Sequence, residues 1–85
     1  MTGPSLTPDL LTRAGRALYG ERWKLALARD LGISERMIRF MLAGERGIRP
    51  IYAVRMLDIL RVRQAELDDI RVIIRRLVRQ PVEHV

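Results

Sequence analysis

The chain has 85 residues, 48% hydrophobic and 31% charged, which suits one small folded domain and excludes a wholly disordered chain. Cysteine is absent and His84 is the one histidine, so we expect no metal, no cofactor, no small-molecule ligand and no enzymatic activity. The 16 lysines and arginines outnumber the 10 acids, and the charge of +6 favours a polyanionic partner, nucleic acid first.

The first predicted helix follows a short leader. Residues 1–6 are predicted to be flexible. Thr7 is a favourable N-cap and Pro8 a favoured first helical residue, so a helix is expected from about 8 to 19, with Gly20 ending it. Its apolar residues recur at helical spacing, as expected for a helix that packs on a core.

Two short helices are predicted next. The second runs from about 22 to 31, with Trp23 as a core residue, and Gly32 closes it. Ser34 is a strong N-cap for a third helix over 35–43. Everything in this stretch indicates helix, and no segment alternates like a strand.

The C-terminal part is also predicted to be helical. Pro50 begins a fourth helix, and its apolar character over 51–60 predicts a central, buried element. No glycine or proline occurs from 51 to 80, so one long helix is an open alternative. Because the apolar pattern changes, we prefer a bend near 61–63 and a fifth helix that ends before the tail, 81–85. The fifth helix carries an apolar ridge of four residues: Leu67, Ile70, Ile74 and Leu77.

The most informative segment is KLALARDLGISERMIRFMLA, which begins at Lys24 and ends at Ala43. It joins two short helices by a tight Gly-Ile-Ser turn. The pattern LA-x-x-LGIS-x-x-x-I-x-x-x-L-x-G-x-R starts at Leu27 and ends at Arg46. It resembles the helix-turn-helix of the Cro and phage-repressor class over roughly residues 8–60.

The resemblance implies an all-α, four- to five-helix domain over 7–61. Its third helix, 35–43, would enter the major groove of DNA. The helix over 62–80 lies outside the resemblance and is assigned to dimerisation.

Five positions are implied base readers: Ser34, Glu35, Arg36, Arg39 and Phe40. Each arginine can fork onto guanine O6 and N7, and Phe40 can touch a thymine methyl group. Glu35 can accept from a cytosine amine or orient Arg39. Simpler interpretations stay open, since Ser34 also suits a cap and Phe40 the core.

Phosphate contacts are expected around the same helix. Lys24 matches a position where the family contacts the DNA backbone, Arg46 and Arg49 follow the third helix, and Arg22 is a weaker candidate. Such contacts hold register without reading sequence. Plain surface charge is the alternative.

The apolar ridge of the last helix has two interpretations. It either folds back to complete the monomer core or pairs with the same ridge of a second chain. One recognition helix reads only a few base pairs, so specific binding favours a homodimer on two half-sites.

These features predict a homodimeric repressor of transcription. It would occupy an inverted-repeat operator on double-stranded DNA, with the promoter of its own gene as one candidate. The alternative is a protein-interaction module, such as an antitoxin whose C-terminal helix binds a protein partner. No stretch approaches the roughly 20 apolar residues of a membrane span, and the N-terminus lacks a secretory pattern. A cytoplasmic protein without a membrane partner is therefore expected.

Overall fold

The computed structural model describes residues 6–44 and 47–79, and this part of the chain holds four α-helices and no strand. The helices are α1 (Pro8–Tyr19), α2 (Trp23–Leu31), α3 (Glu35–Ala43) and α4 (Pro50–Arg79). The predicted all-α class is confirmed, and the expected bounds agree to within one residue for the first three helices. Apart from Leu6, the predicted leader and tail lie outside the described residues.

Local capping sets the ends of the short helices. The side-chain oxygen of Thr7 accepts a hydrogen bond from the Leu10 N–H at 3.1 Å, and that of Ser34 accepts from the Met37 N–H at 3.1 Å. Gly32, after α2, has φ 74° and ψ 31°, the left-handed region that glycine enters without a Cβ penalty. The chain therefore turns from α2 into α3 within three residues.

The core lies where α1, α2 and α3 meet. Its largest fully buried side chains are Leu11, Trp23, Leu27 and Ile38, so the prediction of Trp23 as a core residue is confirmed. Gly15 of α1 faces the indole directly, because a Cβ added there would lie 2.1 Å from Trp23 Cε3. A glycine is thus required at this close approach of α1 to α2.

α4 is one continuous helix of 30 residues, about 45 Å long at 1.5 Å per residue. The predicted bend at 61–63 is therefore wrong. No glycine or proline interrupts the hydrogen-bond ladder, so a change in apolar pattern alone does not break the helix.

The predicted burial of residues 51–60 is also wrong. Of α4, only Met56 is buried, because three short helices are too few to surround a fourth. Four large apolar side chains of this segment are exposed: Ile51, Val54, Leu57 and Leu60.

Two arginines of α4 bind the C-terminal ends of other helices. Arg55 Nη1 donates to the Leu31 carbonyl at 3.2 Å, and Arg63 Nη1 donates to the Leu18 carbonyl at 2.8 Å. Carbonyls in a last helical turn lack intrahelical partners and carry the negative end of the helix dipole. A guanidinium satisfies both needs, so these contacts hold α4 against α1 and α2.

Tyr19 links three helices. Its hydroxyl donates to the Asp30 carboxylate of α2, and the guanidinium of Arg63 lies 5.6 Å from the centre of its ring. Partial burial, and then the hydrogen bond to Asp30 and its negative charge, raise the pKa of Tyr19 from 10.0 to about 12, although Arg63 opposes the shift.

This shift predicts an alkaline titration. In a Tyr52→Phe variant, which leaves Tyr19 as the one tyrosine, the ultraviolet absorbance of tyrosinate is expected to rise with a midpoint near pH 12. Adding Asp30→Asn should lower the midpoint, since it removes the carboxylate. Because the pKa of Tyr19 is higher in the folded protein than in the unfolded chain, its protonated hydroxyl contributes to folding stability. This contribution is complete below about pH 10 and is lost as the pH rises through about 12. A midpoint near 10 with Asp30 intact would contradict the interaction.

The second half of α4 projects away from the other helices. Residues 64–79 are all exposed, and the molecule measures 60 × 29 × 20 Å. We call the packed helices α1–α3 the body, and residues 64–79 of α4 the distal half. Because the apolar ridge does not contact the body, the interpretation that it folds back to complete the monomer core is wrong.

Candidate nucleic-acid interface

α3 has two chemically distinct sides. Ile38 and Met41 are buried and hold the helix on the core. Arg36, Arg39 and Phe40 lie on the opposite side and are exposed. At 3.6 residues per turn, these three form one continuous strip along the outer face of α3.

Glu35 and Arg39 form an ion pair on this strip. Arg39 Nη2 lies 3.2 Å from Glu35 Oε2, one helical turn away. The arrangement agrees with the prediction that Glu35 orients Arg39. An exposed pair of this kind contributes only about 0.3–0.5 kcal/mol to stability. Its main effect is therefore to limit the directions in which the guanidinium points.

The start of α3 borders a shallow, mostly apolar depression. Four residues line it: Ser34, Arg36, Met37 and Phe40. Three of these are predicted base readers, so the structure brings them together. Phe40 is 44% exposed, which excludes its assignment to the core. Sequence reasoning missed Met37, although its position one turn after Ser34 and one turn before Phe40 was a usable signal.

A second groove runs between α2 and the start of α3. Its charged side chains are three cations, Arg22, Lys24 and Arg29, and two carboxylates, Glu21 and Glu35. Two predicted phosphate-binding residues, Arg22 and Lys24, thus lie beside the predicted recognition helix. Arg29 was missed, because its position on α2 gave no sign that it shares a groove with them.

The remaining predicted phosphate contacts lie elsewhere. Arg49 is exposed at the residue before α4 and lies outside both depressions; its carbonyl accepts from the Tyr52 N–H at 3.0 Å. Arg46 lies outside the described residues.

This surface suits the recognition of double-stranded DNA, a polyanion that presents its base edges in a regular order in the major groove. α3 spans nine residues, about 13 Å, and a helix of normal diameter fits a major groove about 12 Å wide. Guanidinium groups present two parallel donors, and an apolar ring beside them suits a methyl group. Cations from α2 flank the strip, where the phosphates on either side of a groove would lie.

Comparison with protein-family models, with curated proteins and with solved structures finds no match. Within residues 6–44 and 47–79, no three histidine or acidic side chains are grouped to hold a metal ion. None of the helices described there is both long and apolar enough to cross a membrane.

Proposed function

We propose that this protein is a sequence-specific regulator of transcription that binds double-stranded DNA. The observation that carries the proposal is the exposed strip of Arg36, Arg39 and Phe40 on α3, opposite the buried Ile38 and Met41. A helix that buries one face and offers guanidiniums on the other suits base reading in a major groove.

The surroundings of α3 support the same function. A capped helix after a three-residue turn is typical of the Cro and phage-repressor helix-turn-helix, which we propose for α2 and α3. Lys24 and Arg22 would bind phosphates beside the groove, and Arg49 would bind one beyond α3. The overall charge of +6 would draw the protein to DNA without regard to sequence.

Two copies would act together. Specific recognition by short helices requires two half-sites about 34 Å apart, or a multiple of that distance. The exposed ridge of the distal half provides an apolar surface for a second copy. The protein would then act as a cytoplasmic repressor that occupies an inverted-repeat operator and blocks transcription.

The same ridge also supports a second function. Its exposure fits an antitoxin-like module, in which α4 binds a different protein and DNA binding is secondary. Operator binding and self-association, measured on the same variants, separate the two functions.

The test is fluorescence anisotropy with duplex DNA. The operator is selected from random-sequence DNA and compared with the DNA upstream of the protein's own gene and with scrambled DNA, over a salt series. Specific binding is expected to exceed non-specific binding by about 10³-fold or more. Equal binding to all sequences with a steep salt dependence would show generic charge attraction and contradict the proposal.

Single substitutions locate the contacts. Arg36→Ala is expected to lower operator affinity by about 1–3 kcal/mol, roughly fivefold to 150-fold, with little change on scrambled DNA. Lys24→Ala should weaken binding to both DNAs and reduce the salt slope by about 1. Arg61→Ala, which removes an exposed charge from α4, is the matched control and should change operator affinity little. If Arg36→Ala behaves like this control, α3 is not the reading element.

A further inference from the structure

The apolar ridge of the distal half continues the face by which α4 contacts the body. Tyr52, Met56 and Ile59 pack on the core, and Arg63 reaches the Leu18 carbonyl. These positions are four, three and four residues apart. The ridge residues follow at the same alternation of three and four: Leu67, Ile70, Ile74 and Leu77. One seam therefore runs the length of α4, covered by the body in its first half and by nothing in the described chain in its second.

The ridge is symmetric about Val72. Ile70 and Ile74 lie two residues to either side of this position, and Leu67 and Leu77 lie five residues to either side. An antiparallel copy centred there would set each leucine opposite a leucine and each isoleucine opposite an isoleucine. A surface that matches itself after a half-turn is what a two-fold dimer requires.

The charges of the distal half invert about the same centre. Asp68 and Asp69 lie on one side, and Arg76 and Arg75 lie at equal distances on the other. Antiparallel pairing sets acid level with base, whereas parallel pairing sets acid level with acid and base level with base. These charges lie on the outer sides of both helices, farther apart than the Debye length of about 10 Å at 0.1 M salt, so their attraction is largely screened and contributes little to the choice of arrangement.

The position of the body excludes the parallel arrangement. In a parallel pair both bodies would lie at the same end, each on the ridge side of its own α4. Paired helices are only 8–10 Å apart, and the molecule is 20 Å thick even in its smallest dimension. In an antiparallel pair the bodies lie at opposite ends, and the distal half of each copy runs beside the other without overlap.

One pair of opposite charges favours the parallel arrangement. Glu66 and Arg71 flank the seam and would attract each other across a parallel pair. Such an exposed ion pair contributes little. Arg71 is already held by Asp68 of its own helix, at 2.9 Å. The overlap of two bodies outweighs this attraction.

We infer that the distal halves of two copies pair antiparallel, with the two-fold axis between the ridges at the level of Val72 and Leu67 of each copy against Leu77 of the other. The inference rests on the proposed function, in which a second copy of the chain covers the ridge. It adds the direction and the register in which the two helices pair. A two-fold axis keeps surfaces that face along it on the same side of the dimer. If the outer face of α3 faces along this axis, both copies of α3 would face the same DNA, as an inverted repeat requires.

The sequence holds no cysteine, so disulfide trapping can test the geometry on the full chain. Leu67→Cys and Leu77→Cys are prepared separately, one of them isotope-labelled, then mixed under reduction and oxidised in a glutathione buffer. Mass spectrometry then separates the mixed disulfide from the two same-position disulfides.

The mixed disulfide is expected to exceed either same-position disulfide by at least about tenfold, because a facing thiol has a millimolar effective concentration. Same-position thiols would lie about 15 Å apart along the axis, too far for a bond that needs Cα atoms within about 7 Å. Val72→Cys places its thiol on the outer side of the helix and should cross-link no more than the unpaired background.

Two results would overturn the inference. Same-position disulfides at both sites would show a parallel pair, and cross-linking at the Val72→Cys level in all samples would show that no second copy covers the ridge. Trapping is done without DNA, so it is independent of the proposed function. A mixed disulfide without specific DNA binding contradicts only the regulator, whereas operator binding with same-position disulfides contradicts only the antiparallel geometry.

Discussion

Replacing Ile74 with aspartate is expected to turn the proposed dimer into a monomer and to lower operator affinity by more than about a hundredfold. Ile74 is 52% exposed in the single chain, so the substitution should leave the body folded. In the dimer it would bury a carboxylate without a partner, at a cost of several kcal/mol. Losing the second subunit also removes the coupling between half-sites, which is worth about 10²–10⁴ in affinity.

Val72→Asp is the matched control for this substitution. Val72 is 48% exposed, lies two residues from Ile74 on the same helix and is also β-branched. At 100° per residue it faces away from the ridge, so its aspartate would remain in water. Both variants change the net charge equally, and only the ridge variant should dissociate.

Sedimentation and anisotropy measure the outcome, with circular dichroism to check helix content. If both variants remain dimeric and bind the operator, the ridge is not the interface. If Ile74→Asp keeps full operator affinity but loses a protein captured by the wild type, the ridge serves the alternative interaction module.

The first three helices could be predicted because their boundaries depend on neighbouring residues. Thr7, Ser34 and Gly32 each act within one turn of where they stand, and their side chains or backbone angles settle where a helix begins or ends. The candidate reading strip followed for the same reason. Once α3 was placed, its 3.6-residue period fixed which side chains share a face.

The prediction that residues 51–60 are buried was wrong because it concerned which other helices pack on α4. Whether a helical face is buried depends on the elements that pack on it, and helical periodicity does not contain this information. Residues 51–60 are apolar on nearly every side, yet the body fully buries only Met56 among them. The roles of Arg55 and Arg63 were equally hidden, because the carbonyls that they bind are 24 and 45 residues away in the chain.

Replacing Trp23 with alanine is expected to destabilise the body by about 3–5 kcal/mol. The indole is 2% exposed and lies at the centre of the small core, so its loss removes buried apolar area and leaves a cavity. A chain of this size has a total stability of about 4–13 kcal/mol. The variant should therefore be much less stable and unfold at a much lower temperature. Leu25→Ala, at a 53% exposed position of α2, should change stability by no more than about 0.5 kcal/mol.

Substitutions at Gly15 and Trp23 together test the contact between these two residues. In the wild type, Gly15→Ala forces a Cβ to within 2.1 Å of Trp23 Cε3, and such overpacking costs about 1–3 kcal/mol. With Trp23→Ala the clash is gone, and alanine is favoured over glycine in a helix by about 0.5–1 kcal/mol. The same substitution should thus destabilise one background and stabilise the other. Chemical denaturation of the four proteins measures the coupling, and an effect of one sign in both backgrounds would show that Gly15 does not contact the indole.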